Sequence, residues 1–327
     1  MTTSRLTAPQ RRLPRAVLPR DIPRRGTAPR DIPRTAAPRG SFRDNWQGWA
    51  FVAPFVAFFL MFLVWPLLSG ALMSLTGKSL TGANDGFIGL ANYAEAFADP
   101  DMWRSLGNTL YFTLISTVPL VVIALALAAL VNMGLPAQWL WRLSFFSPFL
   151  LASTVVSLFF SWMYNPQLGL FNDILAKIGL PPVAWLNDPS MAMWAIVIAT
   201  VWWTTGFNFL LYLAALQNIP QQHYEAASLD GAGGWRQLFS ITLPQLGPTT
   251  AMIVILQVLA SLKVFDQIYQ MTSGGPGGAT RPVVQYIFEA GFTGYRLGYS
   301  AAISYIFFGL ILLISVAQLF ITRKRSA

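Results

Sequence analysis

Six apolar runs, each longer than 20 residues and nearly free of charge, constrain this chain more than any other feature of its sequence. They cover roughly 49–72, 106–130, 140–163, 191–213, 248–271 and 299–321. A bilayer core about 30 Å thick is crossed by about 20 helical residues, so each run is long enough to span with some tilt. With no water at that depth, a segment must satisfy its own backbone donors and acceptors, which helices do and open strands do not. A barrel needs alternating segments of about ten residues, and these are absent. The expectation is an all-α membrane protein of six transmembrane helices. Only Arg142, Lys263 and Asp266 place charge inside the runs.

Composition excludes several chemistries. There is no cysteine, hence no disulfide, thiol nucleophile or cysteine metal site, and the lone His223 cannot build a histidine cluster. Apolar residues make up 54% and charged residues 11%, against about 25% charged in an average soluble domain. The net charge of +9 is unevenly placed, since eleven of the 22 basic residues precede position 48. Residues 1–45 are rich in Arg and Pro, with Pro-Arg-Asp-Ile-Pro-Arg at both 19–24 and 29–34. Such a segment cannot bury a core and reads as a disordered tail. An RNA-binding arm would want aromatics for stacking, and none appears before Phe42 and Trp46. Arg11-Arg12 and Arg24-Arg25 could suggest an export signal, but the first apolar run is too long, lacks a cleavage site and precedes five more spans.

Basic residues in short flanking segments orient a membrane chain. With the amino terminus cytoplasmic, the inner segments hold the eleven tail arginines, Arg142, Arg236, Arg323, Lys324 and Arg325. The outer segments hold Lys78, Arg104, Lys177, Arg281 and Arg296, giving sixteen basic residues inside and five outside. Both termini are therefore expected in the cytoplasm.

The most informative polar stretch lies between the fourth and fifth runs, at about 218–247. Pro220 can open a helix, Glu225 is placed near its amino end where the dipole favours a carboxylate, and Asp230-Gly231 signals a turn. Trp235, Leu238, Phe239 and Thr242 then fall on one face of a second helix, which Pro244 is expected to stop or kink. By its physics alone this is a hairpin of two short helices at the membrane surface. Its string, with Glu225, Ala226, Ala227, Gly231, Ile241, Leu243 and Pro244 in register, resembles the cytoplasmic "EAA" loop of bacterial ABC importer permeases. Asp230-Gly231-Ala232 is similar to the version in the carbohydrate-uptake branch, the MalF-like and glycerol-phosphate permeases. Phe87-Ile88-Gly89-Leu90-Ala91-Asn92-Tyr93, Asn108-Thr109, Lys263-Val264-Phe265-Asp266 and Gly274-Gly275-Pro276 resemble the same branch, so the likeness runs from about Trp46 to Arg323.

The resemblance implies a MetI/MalF-like six-helix bundle over 46–327. It also implies a carbohydrate importer of the bacterial cell membrane, dependent on a solute-binding protein. Its implied partners are a second homologous permease, two ATP-binding subunits that hold ATP and Mg, an extracytoplasmic solute-binding protein, the sugar itself and membrane lipid, but no nucleic acid. The hairpin would be the coupling helix, with Glu225, Ala226, Ala227, Asp230, Gly231, Ala232 and Pro244 presented to the ATPase. This chain is not expected to be an enzyme. Thr76-Gly77-Lys78-Ser79 ends like a phosphate loop, but Leu72 stands where the first glycine belongs. Nor is there a paired carboxylate or Ser/His set for intramembrane catalysis. A permease for another solute, such as a polyamine or phosphate, is disfavoured by the Asp-Gly-Ala form of the loop.

Sugar needs hydrogen-bonding groups beside a flat apolar surface. Runs four and five offer Trp202, Trp203, Asn208 and Tyr212, and the resemblance places Thr204, Phe207, Gln257 and Ser261 at the substrate position. Lys263 and Asp266 are spaced i, i+3 on one expected helix. They either neutralise each other or line the translocation path.

Overall fold

The computed structural model describes residues 46–82 and 86–326, with backbone alone at 46–48 and 323–326. The tail assigned to residues 1–45 lies outside the described residues. Among those described, every regular element is helical, with one isolated bridge between Thr76 and Phe87. In chain order the helices are α1 (Trp46–Phe59), α2 (Trp65–Ser74), α3 (Ala91–Ala98), α4 (Pro100–Asn132), α5 (Gln138–Phe146), α6 (Ser153–Met163), α7 (Leu170–Lys177) and α8 (Ala192–Gln217). They continue as α9 (Gln221–Leu229), α10 (Gly234–Gln237), α11 (Leu243–Gln245), α12 (Gly247–Leu262), α13 (Asp266–Thr272), α14 (Val283–Phe288) and α15 (Leu297–Ser326). Internal contacts divide the chain after Ala57, and the core belongs to the unit from Phe58 onward.

Among the described residues four helices are long and apolar enough to cross a bilayer, at Trp49–Ser74, Pro100–Asn132, Ala192–Gln217 and Leu297–Thr322. These are the first, second, fourth and sixth expected spans. The other two expected spans are bent pairs of helices. The third run breaks by 97° between Gln138–Leu150 and Ser153–Met163. Pro148 lies in a 3₁₀ turn at Ser147–Leu150, and Leu151 and Ala152 are extended, with ψ of 143° and 144°. The fifth helix stops at Leu262, well short of the apolar run, and meets the helix before it at 63°.

The centre of the bundle is the α4–α8 pair. In lipid no hydrophobic force draws helices together, so close packing and hydrogen bonds must do so, and small residues permit the approach. Inward-facing positions on α4 are Ser105, Thr109, Thr113, Ser116, Leu120, Ala124 and Ala128, three or four residues apart. α8 answers with buried Ala192, Ala195, Ala199 and Gly206. Two hydroxyls of this pair bond to their own helix: Thr109 donates to the Ser105 carbonyl at 2.9 Å and Thr204 to that of Thr200 at 2.8 Å. Larger side chains fill the gaps on either side. Phe112, Phe160, Tyr164 and Ile196 form one cluster, and Phe209, Tyr212, Leu213 and Ile253 another.

Hydrogen bonds between distant segments fix which span ends lie together. Leu80 donates to the Tyr295 carbonyl and Gly298 to that of Lys78. The Asn108 amide donates to the carbonyls of Gly278 and Arg281 at 2.9 and 3.0 Å, and Val283 N donates to the Thr109 hydroxyl at 2.9 Å. The starts of α4 and α15 and the segment after α13 therefore share one end of the bundle. Asp99, capping α4, accepts there from the hydroxyls of Tyr286 and Tyr299 and from Asp101 N. Burial alone would raise its pKa, but those hydrogen bonds outweigh it and hold the carboxyl below its ordinary value. α8, 26 residues long, carries the chain roughly 39 Å from this end to the other, where α9–α11 lie.

Gly206 is where the bent third segment crosses α8. A Cβ there would strike the Phe145 carbonyl oxygen and come within 2.8 Å of Phe146 Cα. We predict that Gly206→Val lowers the thermal stability of the detergent-solubilised protein by at least about 1–3 kcal/mol, the usual cost of overpacking. Gly107, where a Cβ meets nothing within 4 Å, should accept Ala with a far smaller change. Melting followed by size-exclusion chromatography checks both.

Candidate functional site

Where α12 stops, a cavity opens between α4, α8 and α12, its surface mostly apolar with polar groups set into it. Lys263 and Val264 close the helix with i→i+3 turns onto Ala260 and Ser261. Phe265 then takes φ −148° and ψ −67°, and α13 starts at Asp266. The cavity is about 260 Å³ and is lined by Phe112, Thr200, Trp203, Thr204, Gln257, Ser261, Lys263, Asp266 and Gln267, among others. Behind it runs a row of buried polar groups joining three helices. The Asn208 amide donates to Gln257 Oε1 at 3.1 Å, the Gln257 amide donates to Ser261 Oγ at 3.2 Å, and Ser261 Oγ lies 3.2 Å from Ser116 Oγ. On the opposite wall Thr200 donates to Gln267 Oε1 at 2.8 Å, while the buried Gln267 Nε2 has no protein partner. A wall with apolar faces beside hydroxyl, amide and charged groups can exchange hydrogen bonds with a polyhydroxylated solute as it passes.

Of the residues expected on the path, the cavity gathers Thr204, Gln257, Ser261, Lys263 and Asp266. It does not gather the other two. Asn208 is 2% exposed and stands behind Gln257, and Phe207 stacks on Phe149 with centroids 5.3 Å apart. The expected Lys263–Asp266 pair on one helix face is also corrected. The helix ends between them, and no ion pair joins them among the described residues. A break lets each charge reach polar space, which a continuous apolar helix would deny them. Trp203, offered by the sequence as a surface for sugar, also lines the cavity, while Thr200 and Gln267 are lining residues that sequence reasoning did not assign to the path. Thr200 and Thr204 at i, i+4 carried a signal, but nothing in Lys263-Val264-Phe265 announces a helix end.

At the far end of α8 lies the hairpin. Gly231 has φ +75°, a conformation that glycine adopts without the steric cost a Cβ brings. Ala232 N donates to the Ala227 carbonyl at 2.9 Å and Gly231 N to that of Ser228 at 3.1 Å, the paired bonds that close a helix on a left-handed glycine. The return helix is held by Tyr224 Oη, 2.9 Å from Thr242 Oγ1, and by Gln237 Nε2, which donates to Ser228 Oγ at 2.9 Å and to the Ala232 carbonyl. No residue of α9 is buried, and Leu229 is 90% exposed. Glu225 and Asp230 point to solvent. The hairpin is thus closed and preformed, with an uncovered outer face.

Three local expectations change. α9 begins at Gln221, so Glu225 is its fifth residue and lies beyond the first turn. Trp235 and Phe239 do stack, at 6.2 Å, but the π turn at Leu238–Thr242 buries Thr242 away from them. Pro244 lies at the start of α11 without ending it, and the chain bends instead at Leu246–Gly247. Thr76–Ser79, the fragment like a phosphate loop, belongs to the turn that bonds Tyr295 and Gly298.

Long apolar helices, two bent spans and an exposed hairpin at one end define a multi-pass helical membrane protein. Residues 96–326 match the model of the binding-protein-dependent transport system inner membrane component. The chain belongs to that family. It is 36% identical over 275 residues to the sulfoquinovosyl glycerol transport system permease protein SmoG of Agrobacterium fabrum, covering 84% of this chain and 89% of that one. It is also 36% identical over 287 residues to the trehalose/maltose transport system permease protein MalF of Thermococcus litoralis, covering 87% and 96%. In fold it is similar to a chain of a bacterial ABC transporter involved in the import of alginate. That match has a TM-score of 0.76 at 23% identity, over 86% of this chain and 96% of that one. The chain is thus an inner-membrane component of a transport system that works with a binding protein.

Because Lys263 and Asp266 do not pair, their substitutions should act independently. In a double-mutant cycle on uptake, Lys263→Ala and Asp266→Ala should show a coupling below about 0.5 kcal/mol. A direct pair would instead make the double variant better than either single one.

Proposed function

We propose that this chain is the permease subunit of an ATP-driven importer that passes a carbohydrate through the cavity between α4, α8 and α12. The observation that carries the reading is the cavity where α12 stops, lined by Thr204, Gln257, Ser261, Lys263, Asp266 and the ring of Trp203. Hydroxyl and amide groups next to flat rings suit sugars, which present hydroxyls on their edges and C–H groups on their faces. The relatives support this class: one is described as a permease for sulfoquinovosyl glycerol and another for trehalose and maltose. Others are described as permeases for lactose and for sn-glycerol-3-phosphate.

ATP hydrolysis, with its Mg ion, resides in two separate ATP-binding subunits, and a second homologous permease completes the pathway. The hairpin at Glu225–Gly231 faces the cytoplasm together with both termini and docks on an ATP-binding subunit. Glu225, Ala226, Ala227 and Asp230 form the docking surface, while Gly231, Ala232 and Pro244 shape it. The support is the exposure of α9, the basic residues at the two chain ends and the positive-inside rule. Closure of the ATPase dimer pulls the hairpins, and the rigid bundle alternates access to the cavity.

Proline cannot adopt the φ of +75° held by Gly231. Gly231→Pro and Glu225→Lys should leave the protein inserted in the membrane while uptake falls by more than about tenfold, roughly 1.4 kcal/mol of lost coupling. Stimulation of ATPase by the loaded binding protein should fall with it. The measurement pairs uptake of a labelled sugar panel with ATPase of the reconstituted complex. Normal uptake in either variant refutes the coupling role, and uptake of no sugar in the panel by the wild type refutes the substrate class.

A further inference from the structure

Between the bent third segment and α8 the chain forms α7 (Leu170–Lys177), which the transport cycle described above does not use. Its inner side is locked. The Asn172 amide donates to the carbonyls of Pro166 and Val183 at 3.3 and 3.0 Å, and its Oδ1 accepts from Val183 N and Trp185 Nε1, both at 3.0 Å. Phe171 packs between Tyr164 and Trp185, with centroids 5.1 and 5.8 Å away. The orientation of the helix is therefore fixed, and its outer side is uncovered by design rather than by fraying.

That outer side is an aliphatic stripe. Leu170, Ile174 and Ile178 stand at i, i+4 and i+8 and are 42%, 45% and 64% exposed. Lys177 lies on the same side, paired with Asp173 at 2.7 Å, and both side chains are well exposed. The location is set by the spans: α6 ends at Met163 and α8 begins at Ala192, so α7 lies at the level where two spans leave the bilayer, at the end opposite the hairpin. The stripe continues the uncovered apolar face of α6, where Phe159 and Trp162 are also exposed.

We propose that α7 is an interfacial helix seated in the leaflet opposite the hairpin, with Leu170, Ile174 and Ile178 among the acyl chains and Lys177 reaching up to lipid phosphates. A short helix with an aliphatic stripe flanked by charge suits the headgroup boundary, and a lysine beside the stripe can extend to the phosphate layer. The alternative occupant is the binding protein. Protein interfaces favour aromatic, methionine and arginine residues at their centre and are depleted in lysine, and this stripe has the opposite make-up. The helix thereby holds the outer ends of α6 and α8 at a constant depth while the rest of the bundle moves.

The chain has no cysteine, so single nitroxide labels can be placed at will. Ile174→Cys and Ile178→Cys report the stripe, and Ala176→Cys reports the side turned away from it. The full transport complex is reconstituted in vesicles of phosphatidylethanolamine and phosphatidylglycerol. Collision with oxygen, enriched in the acyl region, is compared with collision with a water-soluble nickel chelate. The expected result is a preference for oxygen at 174 and 178 and for the chelate at 176, unchanged when the binding protein is added. Equal chelate access at all three positions would overturn the proposal. So would immobilisation of the 174 and 178 labels on adding the binding protein, which would make the stripe a protein interface. Leu170→Cys repeats the measurement should a label at 174 or 178 disturb the fold. The readout needs no transported solute, so it stands or fails independently of the carbohydrate assignment.

Discussion

Within a bilayer a polar side chain must find its partner inside the protein, and the whole arrangement of this chain depends on how one such row is satisfied. Asn208, Gln257, Ser261 and Ser116 pass hydrogen bonds from α8 through α12 to α4. Each net hydrogen bond contributes only about 1 kcal/mol, but leaving one of these buried groups unpaired costs about 1–3 kcal/mol. The row therefore fixes register and rotation for three helices whose surfaces would otherwise slide on lipid-like contacts. It also places polar atoms at the wall of a cavity in the centre of the bundle.

That wall exists because two spans refuse to be straight. Pro148 and the extended Leu151–Ala152 turn the third segment across α8 at Gly206, and α12 ends just after Ser261. Irregular backbone is tolerated at such a depth only where it is buried in protein or lines a cavity, and the break after Leu262 lines the cavity. Trp203 donates to the Leu151 carbonyl at 3.1 Å, satisfying one freed acceptor. The same helix α8 whose middle carries Asn208 ends at the hairpin, so one rigid rod connects the cavity to the exposed lever. A displacement of the hairpin has a direct mechanical route to the cavity wall, which is the physical core of the proposed coupling.

Much of this was legible in the sequence for identifiable reasons. Length and lack of charge located the spans, because lipid imposes a single solution on the backbone. Asp230-Gly231 announced its turn, since only a left-handed residue closes a helix with the bonds seen at Ala227 and Ser228. The break after Leu262 was not legible, because Lys263-Val264-Phe265 contains neither glycine nor proline. It arises from the tertiary advantage of moving two charges into polar space. The same blindness put Lys263 and Asp266 on one helix face and left Gln267 unnoticed. Asn208 looked like a path residue by type and Phe207 by resemblance, but neither signal says which side of α8 meets the cavity. The π turn at Leu238–Thr242 likewise shifted the hairpin's second face by an amount no 3.6-residue pattern contains.

The proposed coupling requires the hairpin to be a cytosolic lever that a nucleotide-driven partner grips, and Leu229, at the tip of α9, reports on both requirements. A single cysteine at Leu229, in a chain with none of its own, can be labelled with a membrane-impermeant maleimide in vesicles of known sidedness. Labelling of inside-out vesicles only, blocked when the ATP-binding subunits are bound and restored when they are stripped, is the predicted outcome. Labelling from the extracytoplasmic side, or labelling indifferent to those subunits, would contradict it.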